Sequence, residues 1–221
     1  MLEENGWTFS KVDIMDEFGD APLPIRGGLH LKEFMVGKHF FDYDSMLVLT
    51  HFKGHGMGGF GGSLKNIAIG CASAEHGKKQ VHNVQPDGKW TTGANFMEHM
   101  ADAGKGIVDH FGRKIAFVNV LRNMSIDCDC AGVAASTPTL PNLGIFASTD
   151  LVAIDQASID LVYSLPDWVK HTFVKRVESR EGLRQLSAMK EIGVGTGEYR
   201  IVRVLDKKPG QRPLEDGTDE A

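Results

Sequence analysis

The chain has no run of about 18 or more apolar residues, so nothing in it reads as a membrane-crossing helix. Its opening, Met1-Leu2-Glu3-Glu4-Asn5-Gly6, offers neither the basic stretch nor the apolar core of a secretory leader. Only three cysteines occur in 221 residues, which excludes a disulfide framework and fits a reducing cytoplasm. No Gly-Lys-Ser/Thr closes a phosphate-binding P-loop, and no His-Glu-x-x-His pair marks a helical metal site. Excess positive charge is missing too. The net charge of -5 argues against nucleic acid as a partner, and no membrane partner is expected.

What the chain does have is glycine in one place. Between Gly54 and Gly62 it carries Gly54, Gly56, Gly58, Gly59, Gly61 and Gly62, with Lys53 and Lys65 flanking and His51 and His55 at the entrance. Glycine loses the most backbone entropy on folding, so such a cluster in a folded domain needs a reason, usually close approach of the backbone to a ligand. Gly56-Met57-Gly58-Gly59-Phe60-Gly61 matches G-x-G-x-x-G, yet it starts six residues after Thr50 rather than in a tight turn. No acid follows about 20 residues on at the end of a second strand to hold a ribose, so the dinucleotide reading fails. The remaining chemical reading is an anion nest. Loop amides and the N-terminus of a helix near Ser63 would hold a small anionic ligand, and Lys53, Lys65 and Asn66 would support it. The alternative is a glycine-rich connection packed tightly on a neighbouring strand.

The hydrophobic pattern predicts strands over Trp7–Asp16, Ser45–Thr50, Lys114–Leu121 and Leu143–Ala147, the last apolar enough to be central. Phe34–Phe41 reads as a short strand or turn and Asp20–Gly28 as a loop. Helices are expected over Ser63–Ala74 and Phe96–Phe111, and from a cap at Ser148 or Thr149 to Ser164 with Asp150 in the first turn. Two more are expected, after Pro166 and over Glu181–Ile192, before a last strand over Tyr199–Leu205. Alternating strands and helices imply a single α/β domain over residues 1–205. It should have a mostly parallel or mixed sheet with helices on both faces; residues 206–221 read as a disordered tail.

Asp127-Cys128-Asp129-Cys130 is the second unusual feature. Two thiolates two residues apart can share one metal ion, with a third from Cys71 and an imidazole from His55 or His82. Three sulfurs and a histidine form a zinc donor set, whereas an iron–sulfur cubane normally needs four cysteines. The alternative is that Cys71 is a small buried hydrophobe and the Asp-Cys-Asp-Cys stretch a turn. Asp155 lies in the apolar run Leu151–Ala157, where an acid must be either paired or functional.

Four segments together carry a family likeness: His51–Asn66 with Gly70-Cys71-Ala72, Gly77-Lys78 with His82, Cys128-Asp129-Cys130, and Gly144–Ala157. The sequence resembles the family catalogued as domain of unknown function 362, often described as iron–sulfur-associated. Many members carry a ferredoxin-like insert of two four-cysteine motifs after the histidine matching His82. Here Asn83–Asn95 holds that place without a cysteine, so no ferredoxin-type cluster is implied. The family portion before the segment matching Gly6–Asp16 has no counterpart, so a shortened or incomplete member is expected. The leading expectation is a cytoplasmic protein that binds a small anion and a divalent metal, zinc or iron, in one crevice. The anion would lie on Lys53, Gly54, His55, Gly58, Gly59, Gly61, Gly62, Lys65, Asn66 and Asp155, and the metal on His55, His82, Cys71, Cys128 and Cys130. The alternative is a redox accessory or scaffold protein that works beside a separate ferredoxin.

Overall fold

The computed structural model describes Glu4 and residues 6–204. The first elements are an antiparallel hairpin, β1 (Asp20–Pro24) and β2 (Glu33–Gly37), followed by β3 (Met46–His51). The glycine cluster forms a second small hairpin, β4 (Lys53–His55) and β5 (Gly59–Gly61). Helices α1 (Ser63–Gly70), α2 (Gly77–Val81) and α3 (Ala94–Phe111) lead to β6 (Ile115–Leu121) and β7 (Gly144–Ser148). Helices α4 (Leu151–Tyr163), α5 (Asp167–Ser179) and α6 (Arg184–Glu191) complete the fold. The central sheet has the order β3-β6-β7. β3 is parallel to β6 and β7 is antiparallel to it, so this α/β fold is built on a mixed sheet.

Alternation decides which face of that sheet is covered. On β6, Ile115, Phe117, Asn119 and Leu121 point inward beneath α1 and α4. α3 packs against α1 and buries Phe96, Met100, Ala103 and Ile107, at the helical spacing the sequence shows. The opposite face is different: Leu47, Leu49 and Ile145 are 63%, 65% and 62% exposed, and no described element covers them.

Several elements depart from expectation. Trp7–Asp16 is irregular rather than a strand, because Phe9, Val12 and Ile14 are all exposed and no neighbouring strand takes up the alternation. That segment is tied down by side chains instead: Asp13 accepts from His39 and from the Tyr43 hydroxyl, and Asp16 accepts from the Ala74 amide. The expected loop from Asp20 contains β1, whose Pro22 and Pro24 are tolerated because β1 pairs on one side only. β7 is an edge strand, not a central one. α1 ends at Gly70, short of Ala74. The cap of α4 is Asp150, which accepts from the Ala153 amide at 2.8 Å, and Ser148 accepts from Asp150 N–H. Residues 199–204 form no strand, and Leu205 with the expected tail lies outside the described residues.

The polar hub of the core joins α1, β6 and α4. Asp155 is fully buried and accepts from the Ser63 amide (2.7 Å), the Leu64 amide (2.9 Å) and Asn119 Nδ2 (2.9 Å). Asn119 also donates to Ser158 and accepts from the Ser63 hydroxyl at 2.8 Å. Burial pushes the Asp155 carboxyl upward, while its amide donors pull the other way. A side chain at Gly62 would fall on this carboxylate, so the residue there must be glycine.

Asp155→Asn replaces an acceptor oxygen by a donor facing other donors and should cost about 2–3 kcal/mol in urea unfolding. Gly62→Ala should be at least as damaging. A second expectation concerns His99 on α3, which is buried, donates through Nδ1 to Asn95 O (2.8 Å) and stacks on His30. Burial holds its pKa below the ordinary value of 6.5. The unfolded chain takes up a proton on falling below that value while the folded chain resists. Stability from this group is therefore complete above about pH 6.5 and lost as the pH falls. Unfolding followed between pH 7 and 5 should show a shallower loss for His99→Gln than for the wild type.

Candidate metal centre and the cleft beside it

β3 and β6 are parallel neighbours, so the loops leaving their carboxyl ends emerge side by side, where open α/β sheets place their sites. The loop after β3 is the β4–β5 hairpin. Gly54 lies against the Ile126 backbone, where a Cβ has no room, and donates its amide to Ser125 O at 2.8 Å. Phe52 and Phe60 bury their rings beneath the hairpin against Phe173 of α5. Gln185 clamps its far side by donating to Gly58 O (2.7 Å) and Phe60 O (3.1 Å). The turn closes on His55, whose Nδ1 accepts from the Gly58 amide at 2.8 Å and the Met57 amide at 3.3 Å.

The loop after β6 carries the cysteines. Ser125 and Asp127 bond to each other, and Arg176 of α5 donates to both Ile126 O (3.1 Å) and Asp127 (2.9 Å). Thus pinned, the loop enters a 3-10 turn over Asp129–Ala134, with the Cys130 amide 3.4 Å from Cys128 Sγ. The result is that one donor atom each from His55, Cys128 and Cys130 lies within 4.8 Å of the others, close enough to share one ion. His55 and Cys128 are buried and Cys130 is exposed. Lys65 Nζ stands 3.8 Å from Cys128 Sγ.

Electrostatics favour the neutral form of both the imidazole and the exposed thiol. Burial, then the charges of Lys65, His82, Lys53 and Arg176, lower the His55 pKa to about 4, so the ring is neutral at neutral pH. Burial and the neighbouring Cys128 push the Cys130 thiol upward.

Two expected ligands fall outside the group. Cys71 caps the far end of α1, buried alone, and burial pushes its thiol up to about 12, so it serves as a small hydrophobe. His82 follows α2, its Nδ1 donating to Lys78 O at 2.7 Å and its ring beside Trp90 and Phe96. It is near enough for its charge to oppose a proton on His55, but it is not within the 4.8 Å grouping.

A cleft of about 280 Å³ opens next to the cysteine turn, lined among others by Thr50, His51, Lys53, Lys65, Asn66 and Asp129. Gly61 and Gly62 form its floor. Several of the expected anion-site residues have partners within the chain. Gly54, Gly58 and Gly59 are buried and spend their polar groups or their smallness on the hairpin. Asn66 donates to Leu49 O and to Thr50 Oγ1. Asp155 points into the core, where its carboxylate takes the first amides of α1; the helix N-terminus is thereby filled by the chain's own anion. Three contributors escaped the sequence reading. Asp129 bonds His51 and Lys53, Arg176 anchors the cysteine loop, and Gln185 clamps the hairpin. Only Asp129 had a visible signal, as the acid between two cysteines.

The model of the family described as domain of unknown function (DUF362) matches residues 2–160, most of the chain, and the protein belongs to that family. No curated protein and no solved structure matches it. Among the described residues no helix is long and apolar enough to cross a membrane.

Arg176→Ala should free the cysteine loop from α5. The expected outcome is faster amide exchange across 125–131 with α1 unchanged, measurable by hydrogen–deuterium exchange.

Proposed function

We propose that the protein holds one soft divalent ion, zinc or iron, on His55, Cys128 and Cys130, with a small anionic ligand beside it in the cleft of Lys53 and Lys65. The observation that carries this reading is the grouping of the three donor atoms, from two separate loops, within 4.8 Å. Two thiolates and a neutral imidazole are the donor types that zinc and ferrous ion prefer, and three protein donors leave a fourth position for a ligand. In such a position a metal ion would supply Lewis acidity toward a water molecule.

The chain's own residues do the orienting. With Nδ1 accepting from Gly58 and Met57, the neutral His55 ring carries its proton on Nε2; to bind an ion through Nε2 as a neutral imidazole, that proton would have to move to Nδ1 and the two amides would have to release it. Lys65, beside Cys128 Sγ, offsets thiolate charge and also lines the cleft. Lys53, only 14% exposed in its side chain, brings a second positive charge to the same wall.

Protein purified without a histidine tag should carry about one equivalent of zinc or iron by mass spectrometry of the metal. Cys128→Ser/Cys130→Ser should lose it, and Cys71→Ala should retain it. Less than about a tenth of an equivalent in wild-type protein reconstituted with either ion would overturn the reading. So would retention by the double variant.

A further inference from the structure

The cleft beside the cysteine turn already holds one negative charge of the chain's own. Asp129 stands between Cys128 and Cys130, and its side chain is 60% exposed. Its carboxylate lies 2.9 Å from Lys53 Nζ and 2.9 Å from His51 Nδ1. His51 is aimed at it by its other ring nitrogen, which bonds Arg122 O at 2.8 Å. Partial burial pushes the Asp129 carboxyl up, but the bonds from Lys53 and His51 outweigh this and hold it below the ordinary value. Lys65 lines the same cleft and turns its Nζ to Cys128 Sγ instead.

Lys53, Lys65 and the imidazolium form of His51, whose Nε2–H is already given to Arg122 O, thus present N–H donors around a space in which a single tethered carboxylate reaches two of them. A tetrahedral oxyanion has four acceptor oxygens and a higher charge, and it can bond Lys53, His51 and Lys65 together. An ion pair as exposed as those of Asp129 contributes little stability, so exchanging it for such an anion is inexpensive. The exchange has a consequence for the turn. The same residue that gives up its partners is the link between the two sulfurs, and its contacts with His51 and Lys53 tie that link to the loop after β3.

We propose that Asp129 is the resident occupant of a binding site for a small doubly charged oxyanion of the sulfate or phosphate type. By taking Lys53 and His51 from Asp129, the anion loosens the Cys128–Cys130 turn and weakens metal binding there. This rests on the metal reading above and adds to it a ligand class and a sign of coupling. Linkage requires the converse as well: metal held by the turn lowers the affinity for the anion.

The test uses the full chain and inorganic sulfate as the anion, with chloride adjusted to constant ionic strength. Zinc affinity is measured by competition with a chromophoric chelator, and sulfate binding to zinc-free protein by calorimetry. In the wild type, saturating sulfate should weaken zinc binding about fivefold or more. Asp129→Asn should bind sulfate more tightly than wild type, and sulfate should change its zinc affinity less than about twofold. His51→Gln removes one of the partners of Asp129 without substituting a residue of the turn. It should weaken zinc binding when no sulfate is present and reduce the sulfate effect, which keeps the proposal testable if Asp129→Asn does not fold. Wild-type protein that binds zinc but no sulfate, or binds both without coupling, overturns this inference and leaves the metal reading intact. Sulfate binding no tighter in Asp129→Asn also overturns it. Failure to bind zinc in the absence of sulfate overturns the metal reading, and this inference with it.

Discussion

The carboxylate of Asp155 is the point on which the architecture turns. It lies on α4, takes the first two amides of α1 and bonds Asn119 in the middle of β6, so three elements distant in sequence meet at two oxygens. A helix starts with unpaired amide donors, and inside a core these must find acceptors or cost several times what a surface bond is worth. By supplying the acceptor, Asp155 allows the start of α1 to be buried. It also fixes where Lys65 and Asn66, on the first turns of α1, emerge beside the cleft. Gly62 is the complementary half of the arrangement, since only a residue without a side chain lets the carboxylate come so close.

Much of this could be read in the sequence. Amphipathic spacing located α3, and apolar runs located β3, β6 and β7, because those patterns depend on burial along one face. The sequence pattern did not show which strand is central. The run Gly144–Ser148 is as apolar as an interior strand, yet its order in the sheet depends on partners elsewhere in the chain. Trp7–Asp16 failed for the converse reason, having the alternation of a strand but nothing to pair with. At the site, the residue types pointed to the two loops that the structure brings together. The distance between them could not be read, so Cys71 and Cys128 looked equivalent although α1 carries one of them away from the other.

The glycine cluster illustrates how one composition serves several demands. Gly54 makes room for the neighbouring loop, Gly62 makes room for Asp155, and Gly58 supplies the amide that orients His55. A scan of the sequence sees one glycine-rich segment, whereas the folded chain uses it as hairpin, helix start and support for the His55 ring in turn. The two amides just past its end do take a carboxylate, but one from within the chain. The acid that answers them lies on α4.

The parallel pairing of β3 with β6 carries a kinetic consequence. The two strands are separated by three helices and pair residues about 70 apart in sequence, so their contact closes only after a sizeable loop entropy has been met. His55 and the two cysteines lie just past the ends of these strands and cannot approach one another earlier. Assembly of the donor group is therefore a late event in folding. Until then Cys128 and Cys130 remain exposed and unordered in the chain, open to any thiol-reactive species present while the protein is being made.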